Sequence, residues 1–454
     1  MTPGQQATFR EVTSWMRTPP SHIMGDVTAR DGIQAIPWYH VPTKENRAQW
    51  AKSMLKFGFP HIEIGFPVLD GDPETLAVRH VVEQTRDLAG GIFVLARLNE
   101  ADIEQCAKVL EGAKHGGIHT FIGTSPEHRE ALGMNQDQIV QAVGDRVEQI
   151  RKLGFMAQFS AEDATRTEND FLSRVYKAAS DSGAQILNVP DTVGYADWDD
   201  FKGKLEVVKD VAGNSIISVH SHNDMSFGEA NPAMAIKHGL TQKVEGTIFG
   251  IGERTGNTDL TSLIITLSTH PEYRKYVTNL IKDKRHLARI IELVEAATGY
   301  TSRPVQPGYG FDALVNRSGV HQAKVAKMKQ AYLWADPEQF GLRDRSTIDV
   351  GPLSGKAGVE SLLQELKIQY NPDDLIKLTS LIRAIFSPDT NIHDIEVMFP
   401  EIPEVKINRL SNEVQAIRRE ARMLIPTIRY QKQWKQRTHA IVKDAVRYFY
   451  GEKE

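Results

Sequence analysis

SIISVHSHN, residues 215–223, is the stretch on which the reading of this chain turns. It starts as an apolar run and ends with His220 and His222 two apart, so on an extended strand both imidazoles face the same way. That is chelating geometry at the end of a strand, and the next question is which sheet the strand belongs to. Seven further runs of the same character precede and follow it: HIMGDVTA (22–29), HIEIGFP (61–67), GIFVLARL (91–98), GIHTFIGTS (117–125), FMAQFSAED (155–163), AQILNVPDT (184–192) and KVEGTIFGIG (243–252). Between them lie segments with helical spacing, such as ENRAQWAKSMLKFG and NQDQIVQAVGDRVEQIRKLG, several ending at a glycine suited to a left-handed cap.

Eight strand–helix units over roughly 250 residues is the repeat of a TIM (β/α)8 barrel, an α/β fold; a doubly wound open sheet is the alternative, without an obvious chain reversal to favour it. Barrel sites are built at the carboxyl ends of the strands, and the polar residues fall there. Arg30 and Asp31 follow the first run, Glu63 is late in the second, Thr124 and Ser125 close the fourth, Glu162 and Asp163 the fifth, Asp191 and Thr192 the sixth, and Glu253 to Asn257 follow the eighth. The opposite ends carry mostly glycine and apolar residues.

The rest of the chain divides into an amino-terminal extension (1–21), the barrel (22–290), a linker with helical subdomains (291–390) and a basic helical tail (391–454). The Pro/Gly-rich SRPVQPGYG at 302–310 is the best candidate boundary. The tail interleaves Lys and Arg with aromatics (RYQKQWKQR, VRYFYGEKE), which reads as the solvated face of terminal helices, with a phosphate-bearing ligand or a partner subunit as the alternative. Lys+Arg 54 against Asp+Glu 58 gives a net charge of −4 over 454 residues, with no overall pull toward nucleic acid or an anionic membrane. No apolar run reaches the ~20 residues of a membrane span, and the single cysteine, Cys106, excludes an intrachain disulfide and reads as a buried structural thiol. These features fit a cytoplasmic protein.

One carboxylate (Asp31), two imidazoles (His220, His222) and an amide oxygen such as Asn257 form a donor set suited to Zn, Mn, Co or Mg, with Asn223 and Asp224 available to orient the imidazoles. Such a metal would chelate a 2-oxo acid and polarise its keto group, and Arg30 would stabilise the alkoxide formed on attack. The alternative for Arg30 and Asp31 is a local ion pair. Gly250, Gly252 and Gly256 make a tight loop that is not a dinucleotide fingerprint, since it follows the eighth strand and its spacing differs; Glu253 and Arg254 are expected to pair and hold it.

TARDGIQ, IEIGFPV, HTFIGTSP, FSAEDATRT, NVPDTVGY, HSHND, GIGERTGN and SGVHQ occur in this order, and together they resemble the 2-isopropylmalate synthase and homocitrate synthase family of metal-dependent TIM-barrel condensing enzymes. The resemblance covers roughly residues 20–370, and GFPV, HTFIGTSP and NVPDTVGY look more like isopropylmalate synthase. It implies a Claisen condensation in which the enolate of acetyl-CoA attacks a 2-oxo acid and the thioester is hydrolysed to a 2-alkylmalate-type product and CoA. By motif, Asp31, His220 and His222 would bind the metal, with Asn257 completing or neighbouring its shell. Arg30 would polarise the keto group, and Glu162, His321 and Tyr332 would serve deprotonation. Gln34, Glu63, His119 and Thr192 would bind substrate, Thr192 through the oxo-acid carboxylate. The region carrying His321 would reach the barrel of a partner chain, which implies a homodimer. Positions near Glu63, Phe66, Arg97 and His119 are where specificity would be set.

Three departures stand out. Ile33 replaces a polar residue in the first motif, SGVHQAK replaces SGIHQDG, and the tail does not resemble the family's leucine-sensing domain. Homocitrate, citramalate, Re-type citrate and aryl- or phosphono-malate synthases are the alternatives on the same barrel. A 3-hydroxyacyl-CoA lyase is the alternative of another class, but such lyases carry a cysteine in the loop after strand 8, and this loop has none. A barrel that binds without turnover is a third class.

Overall fold

Eight parallel strands close on themselves in sequence order: β1 Ile23–Asp26, β2 His61–Glu63, β3 Gly91–Arg97, β4 Gly116–Gly123, β5 Met156–Glu162, β6 Ile186–Asp191, β7 Ile216–Ser221 and β8 Lys243–Gly246. The computed structural model describes residues 1–16, 18–281, 283–342, 348–423 and 428–451, without the side chains of 423 and 428–432. They divide into two compact units, Met1–Tyr300 and Thr301–Glu454. The ring is sealed by β1 against β8, with Ile23 opposite Lys243 and Asp26 opposite Gly246. Among the described residues no helix is long and apolar enough to cross a membrane.

The helices between strands form where caps and apolar spacing coincide. Thr43 accepts from Asn46 N to start Lys44–Phe57, which stops at Gly58 in the left-handed region (φ 98°). A reciprocal pair between Asn135 and Gln138 opens Gln136–Lys152, whose Ile139, Val143, Val147 and Ile150 are buried. Strand side chains alternate: on β5, Phe159 packs edge-on to Tyr176 of the helix Asn169–Asp181, while Gln158 and Ser160 bond inward across the barrel. The amino-terminal segment set apart in the sequence supplies a helix, Pro3–Glu11, that helps close the amino end of the barrel. Phe9 and Val12 join Ile23, Phe93, Ile186 and Ile216 in one apolar cluster, each large side chain contributing about 2 kcal/mol on burial.

The strands are all shorter than their sequence runs, and for two of them the cause is a local return of the chain. β1 ends at Asp26 rather than Ala29, because the Asp26 carboxylate accepts from Thr28 N at 3.1 Å and from its hydroxyl, turning the chain into a π-helical turn, Thr28–Gly32. Asp31 N bonds Val27 O there at 2.8 Å, and such turns gather at functional sites. β8 ends at Gly246 rather than Gly252, because the chain after it doubles back: Thr247 N bonds Thr258 O at 2.9 Å, and a Cβ on Gly246 would lie 2.4 Å from that oxygen.

The second unit is mostly helical. Val359, Leu362, Leu363, Leu375, Leu378 and Val442 form part of one apolar cluster, while Ile407, Leu410 and Val414 meet Ile441, Ala445 and Tyr448 in another. The terminal helices Glu404–Met423 and Ile428–Phe449 therefore pack into a core on one side. On the other, Arg437 bonds Glu420 at 2.7 Å and Glu413 at 3.1 Å. The side chains of 429–432 and residues 452–454, part of the basic-tail reading, lie outside the described residues.

Candidate metal centre and active site

The π-turn after β1 and the end of β7 bring Asp31, His220 and His222 together: one donor atom from each lies within 4.8 Å of the others, and all three residues are buried. Asn257 joins them because the loop after β8 pairs with the end of β7, His222 bridging Asn257 and Thr258 N bonding Ser221 O at 2.9 Å. This return needs glycine. Gly256 has φ 98°, and a Cβ there would lie 1.9 Å from Gly250 O. Asp31 Oδ2, His222 Nδ1 and Asn257 Oδ1 are buried without a hydrogen-bond partner, and His220 turns its Nε2 toward Asp31 Oδ2 at 3.5 Å. Buried polar atoms are normally satisfied, so this buried, incompletely bonded group fits a divalent cation, to which Asp31, His220, His222 and Asn257 would supply oxygen and imidazole nitrogen donors.

The protonation states agree. Burial opposes ionisation of Asp31, but Arg30 and the two imidazoles outweigh it, and its pKa is held below the ordinary value. Burial, helped by the neighbouring His220, pushes His222 down to about 4, and burial lowers His220 against the pull of Asp31 and Glu245. An ionised carboxylate with two neutral imidazoles is the form that binds a metal.

Arg30 is fixed beside this set by two carboxylates, Glu63 Oε1 at 2.5 Å from Nε and Asp31 Oδ1 at 2.9 Å from Nη1. Glu63 also meets His119 Nδ1 at 2.9 Å, whose Nε2 lies 2.7 Å from Ser160 Oγ. Asn188 Nδ2 donates to Ser160 Oγ (3.0 Å) and to Glu245 Oε2 (3.1 Å). Lys243 Nζ donates to Glu245 Oε1 (2.8 Å) and to Gln158 Oε1 (2.5 Å). The barrel thus holds a buried polar network where branched aliphatic layers are usual. Glu63, His119 and Glu245 also lie close enough to hold an ion, yet both carboxylates already face a buried cation, Arg30 and Lys243. Lys243 overcomes the burial of Glu245 and holds its carboxyl below the usual range.

Above the triad opens a cavity of about 290 Å³. Arg30, Asp31, His220 and His222 line it together with Gln34, His119, Glu162 and Thr192, while Glu63 and Asn257 reach it through the bonds above. Phe66, Leu95 and Phe121 form an apolar wall, the two phenyl rings meeting edge-on at 6.3 Å. Thr192 Oγ1 accepts from Asp163 N at 2.9 Å, which leaves its hydroxyl proton to donate.

Four sequence expectations change. Arg97 lies on β3 but bonds Asp102 at 2.7 and 3.0 Å with its side chain 56% exposed, so it does not line the cavity. Arg254 pairs with Asp224 (2.8 Å) and Thr192 O (2.7 Å) rather than with Glu253. Asp224 is therefore committed to Arg254, and Asn223 Oδ1 accepts from Gly228 N, so neither is bonded to the histidines. Finally, the amino halves of the strands are not only glycine and apolar residues, since Gln158 and Lys243 are buried there. Gln158, Ser160, Asn188, Lys243 and Glu245 were missed; their signal was polar residues recurring every second position within apolar strands.

His321 and Tyr332 belong to the second unit. His321 is exposed on the helix Gly319–Lys327, and its ring stacks on Tyr332 at 4.3 Å and 28°. SGVHQ and the glycine of LSGK pack closely there, since a Cβ on Gly319 would lie 2.9 Å from Gly355 N. Cys106 is buried against Leu95 O at 3.3 Å, and burial pushes its thiol up.

The family sequence model described as HMGL-like matches residues 22–295, and one described as homocitrate synthase post-HMGL domain-like matches 309–388. The chain is 35% identical to a 2-isopropylmalate synthase of Heliobacterium modesticaldum over 83% of its own length and 72% of the relative's. It is 38% identical to one of Acidimicrobium ferrooxidans (77% and 67%) and 36% identical to one of Pyrococcus abyssi (82% and 76%). Among solved structures, the HMG-CoA lyase of Bacillus subtilis superposes with a TM-score of 0.51 at 17% identity, covering 63% of this chain and 97% of that one, a likeness of fold alone. With its barrel matched from end to end and these relatives matched over two thirds of their length or more, the chain belongs to the HMGL-like family, in the group of the 2-isopropylmalate synthases.

Proposed function

We propose that this chain is an acetyl-CoA-dependent acyltransferase that condenses acetyl-CoA with a 2-oxo acid bearing a branched alkyl group, 3-methyl-2-oxobutanoate being the first candidate, to give a 2-alkylmalate-type product. The observation that carries the reading is the buried cluster of Asp31, His220 and His222, with the unpartnered Oδ1 of Asn257, beside Arg30. A divalent cation (Zn, Mn, Mg or Co) held there would supply Lewis-acid polarisation of a keto group. Arg30, locked by Glu63 and Asp31, offers fixed positive charge to the oxygen that becomes an alkoxide. The Thr192 hydroxyl donates to the substrate carboxylate, and Gln34 and His119 line its seat. Glu162 takes a proton from the methyl group of the acetyl thioester, the enolate carbon bonds to the keto carbon, and the alkoxide takes up a proton. Water then cleaves the C–S bond, leaving a carboxylate and free thiol.

The apolar wall of Phe66, Leu95 and Phe121 favours an alkyl group over a second carboxylate, because both cations lining the cavity, Arg30 and Arg254, are already paired with carboxylates. The lyase reading lacks its thiol: the loop 250–257 has no cysteine, and Cys106 is buried elsewhere. His321 and Tyr332 complete the site from a second copy of this chain in the proposed homodimer, working in the cytoplasm.

The metal-loaded protein incubated with acetyl-CoA and a panel of 2-oxo acids tests the reading by thiol release. Release with 3-methyl-2-oxobutanoate well above release with 2-oxoglutarate, oxaloacetate or pyruvate is expected; release with none, alongside cleavage of a 3-hydroxyacyl-CoA, overturns it.

A further inference from the structure

His128 has no part in the scheme above, yet it stands against the one carboxylate assigned to proton abstraction. Its Nδ1 lies 3.4 Å from Glu162 Oε2, and its Nε2 lies 3.9 Å from Asp163 Oδ2, so the imidazole sits between the last carboxylate of β5 and the one that follows it. The approach is built into the barrel wall. Gly123, the last residue of β4, is paired in register with Glu162, and a Cβ there would lie 2.7 Å from His128 Nδ1 and 2.6 Å from its Cβ. Only glycine leaves room for the ring.

The short helix carrying His128, Pro126–Leu132, is pinned by the next residue. Arg129 Nη1 donates to Thr124 O at 2.6 Å, both its Nη atoms bond Glu168 at 2.7 Å, and its guanidinium lies 4.9 Å over the Phe171 ring. On the other side, Asp163 is bound to Arg166 at 2.6–3.0 Å and held in the left-handed region at φ 62°, a strained conformation for a residue other than glycine. The charged groups around the ring are therefore Glu162 at the end of β5, Asp163 just after it, Arg166 beyond Asp163, and Glu127 and Arg129 on its own helix. Both arginines are committed to carboxylates, so among the described residues the imidazole is the cationic or donor group that faces the Glu162 carboxylate on this side.

We infer that His128 is a positioning residue for Glu162: pinned over Gly123, it donates through Nδ1 to the Glu162 carboxylate and aims the opposite oxygen into the cavity. This rests on the condensation reading, in which Glu162 accepts the methyl proton. No new bond is made or broken in this role. Its effect is on the orientation of the acceptor.

The test compares wild type, His128→Ala, His128→Gln and Gly123→Ala, each metal-loaded, for kcat, KM for the 2-oxo acid, the pH profile of kcat and bound metal. His128→Ala should lose up to about 100-fold in kcat with KM within about twofold and metal content unchanged, and its acidic pH limb should move. His128→Gln, which keeps a donor, should recover part of the loss without restoring the limb. Gly123→Ala keeps the imidazole but displaces it and should reproduce the kcat loss, which guards against misfolding of the histidine variants. Unchanged kcat and pH limb in the His128 variants of an active enzyme overturns the inference alone. A wild type that releases thiol with no 2-oxo acid overturns the condensation reading and this inference with it.

Discussion

Asp31 Oδ2 lies 3.5 Å from His220 Nε2, and the other nitrogen of the same ring lies 3.6 Å from Glu245 Oε2. The aspartate follows β1, the glutamate is on β8 and the histidine on β7, so three adjacent strands converge on one imidazole. A carboxylate behind an imidazole fixes its tautomer and raises its basicity toward a metal.

Asn257 is seated by the absence of a side chain opposite it. A Cβ on Gly252 would lie 2.1 Å from Asn257 Nδ2, so Gly252→Ala should push the amide away while the barrel stays folded. Competition titration with a chelator should show metal affinity about 10- to 100-fold weaker; unchanged affinity would remove Asn257 from the account.

Lys243 is the buried counterion of Glu245. Lys243→Met should destabilise the protein by about 3–5 kcal/mol, because it leaves a buried carboxylate unpaired, and adding Glu245→Gln should recover part of the loss. Urea unfolding of both variants measures this. A double variant as unstable as the single one would show that packing, not charge, is at stake.

Asp26 gives the chain a pH dependence of known sign. Burial raises its carboxyl from 3.8 to about 6 against the hydrogen bonds from Thr28. The folded state thus holds a proton that the unfolded chain releases between those values, and stability is fully present below the lower and lost as pH rises through the higher. Asp26→Asn lacks this loss. The stability of the variant relative to wild type should therefore grow between pH 4 and pH 7, by at most about 3 kcal/mol. A difference that stays flat across that range contradicts the assignment.

Shared sites in the proposed homodimer lend themselves to complementation. Mixed dimers of Glu162→Gln and His321→Ala subunits contain one intact site in two, so co-refolding two inactive proteins should restore roughly a quarter of wild-type activity. No recovery would place His321 in the same chain's site, and an active His321→Ala protein before mixing would place it outside catalysis.

The sequence made the barrel legible because its strands alternate with helices at a steady spacing and its polar residues gather at one end of each strand. The cluster of candidate donors was legible from His220, His222 and the placement of Asp31. What stayed hidden depends on contacts distant in sequence. The end of β1 is set by Asp26 folding back on Thr28 and that of β8 by its return to Thr258. Arg254 passes over its neighbour Glu253 for Asp224, 30 residues away. Lys243 and Glu245 read as ordinary strand polarity until closure of the barrel turned them inward, and His128 sits on a helix too short to show a pattern.

Metal content tests the Asp31–His220–His222 centre. After equilibration with Mn or Zn and removal of free ion, elemental analysis should find one divalent ion per chain in the wild type and essentially none in His220→Ala, with the circular dichroism of the two proteins superimposable. A folded His220→Ala protein that keeps its full complement of metal would contradict the account.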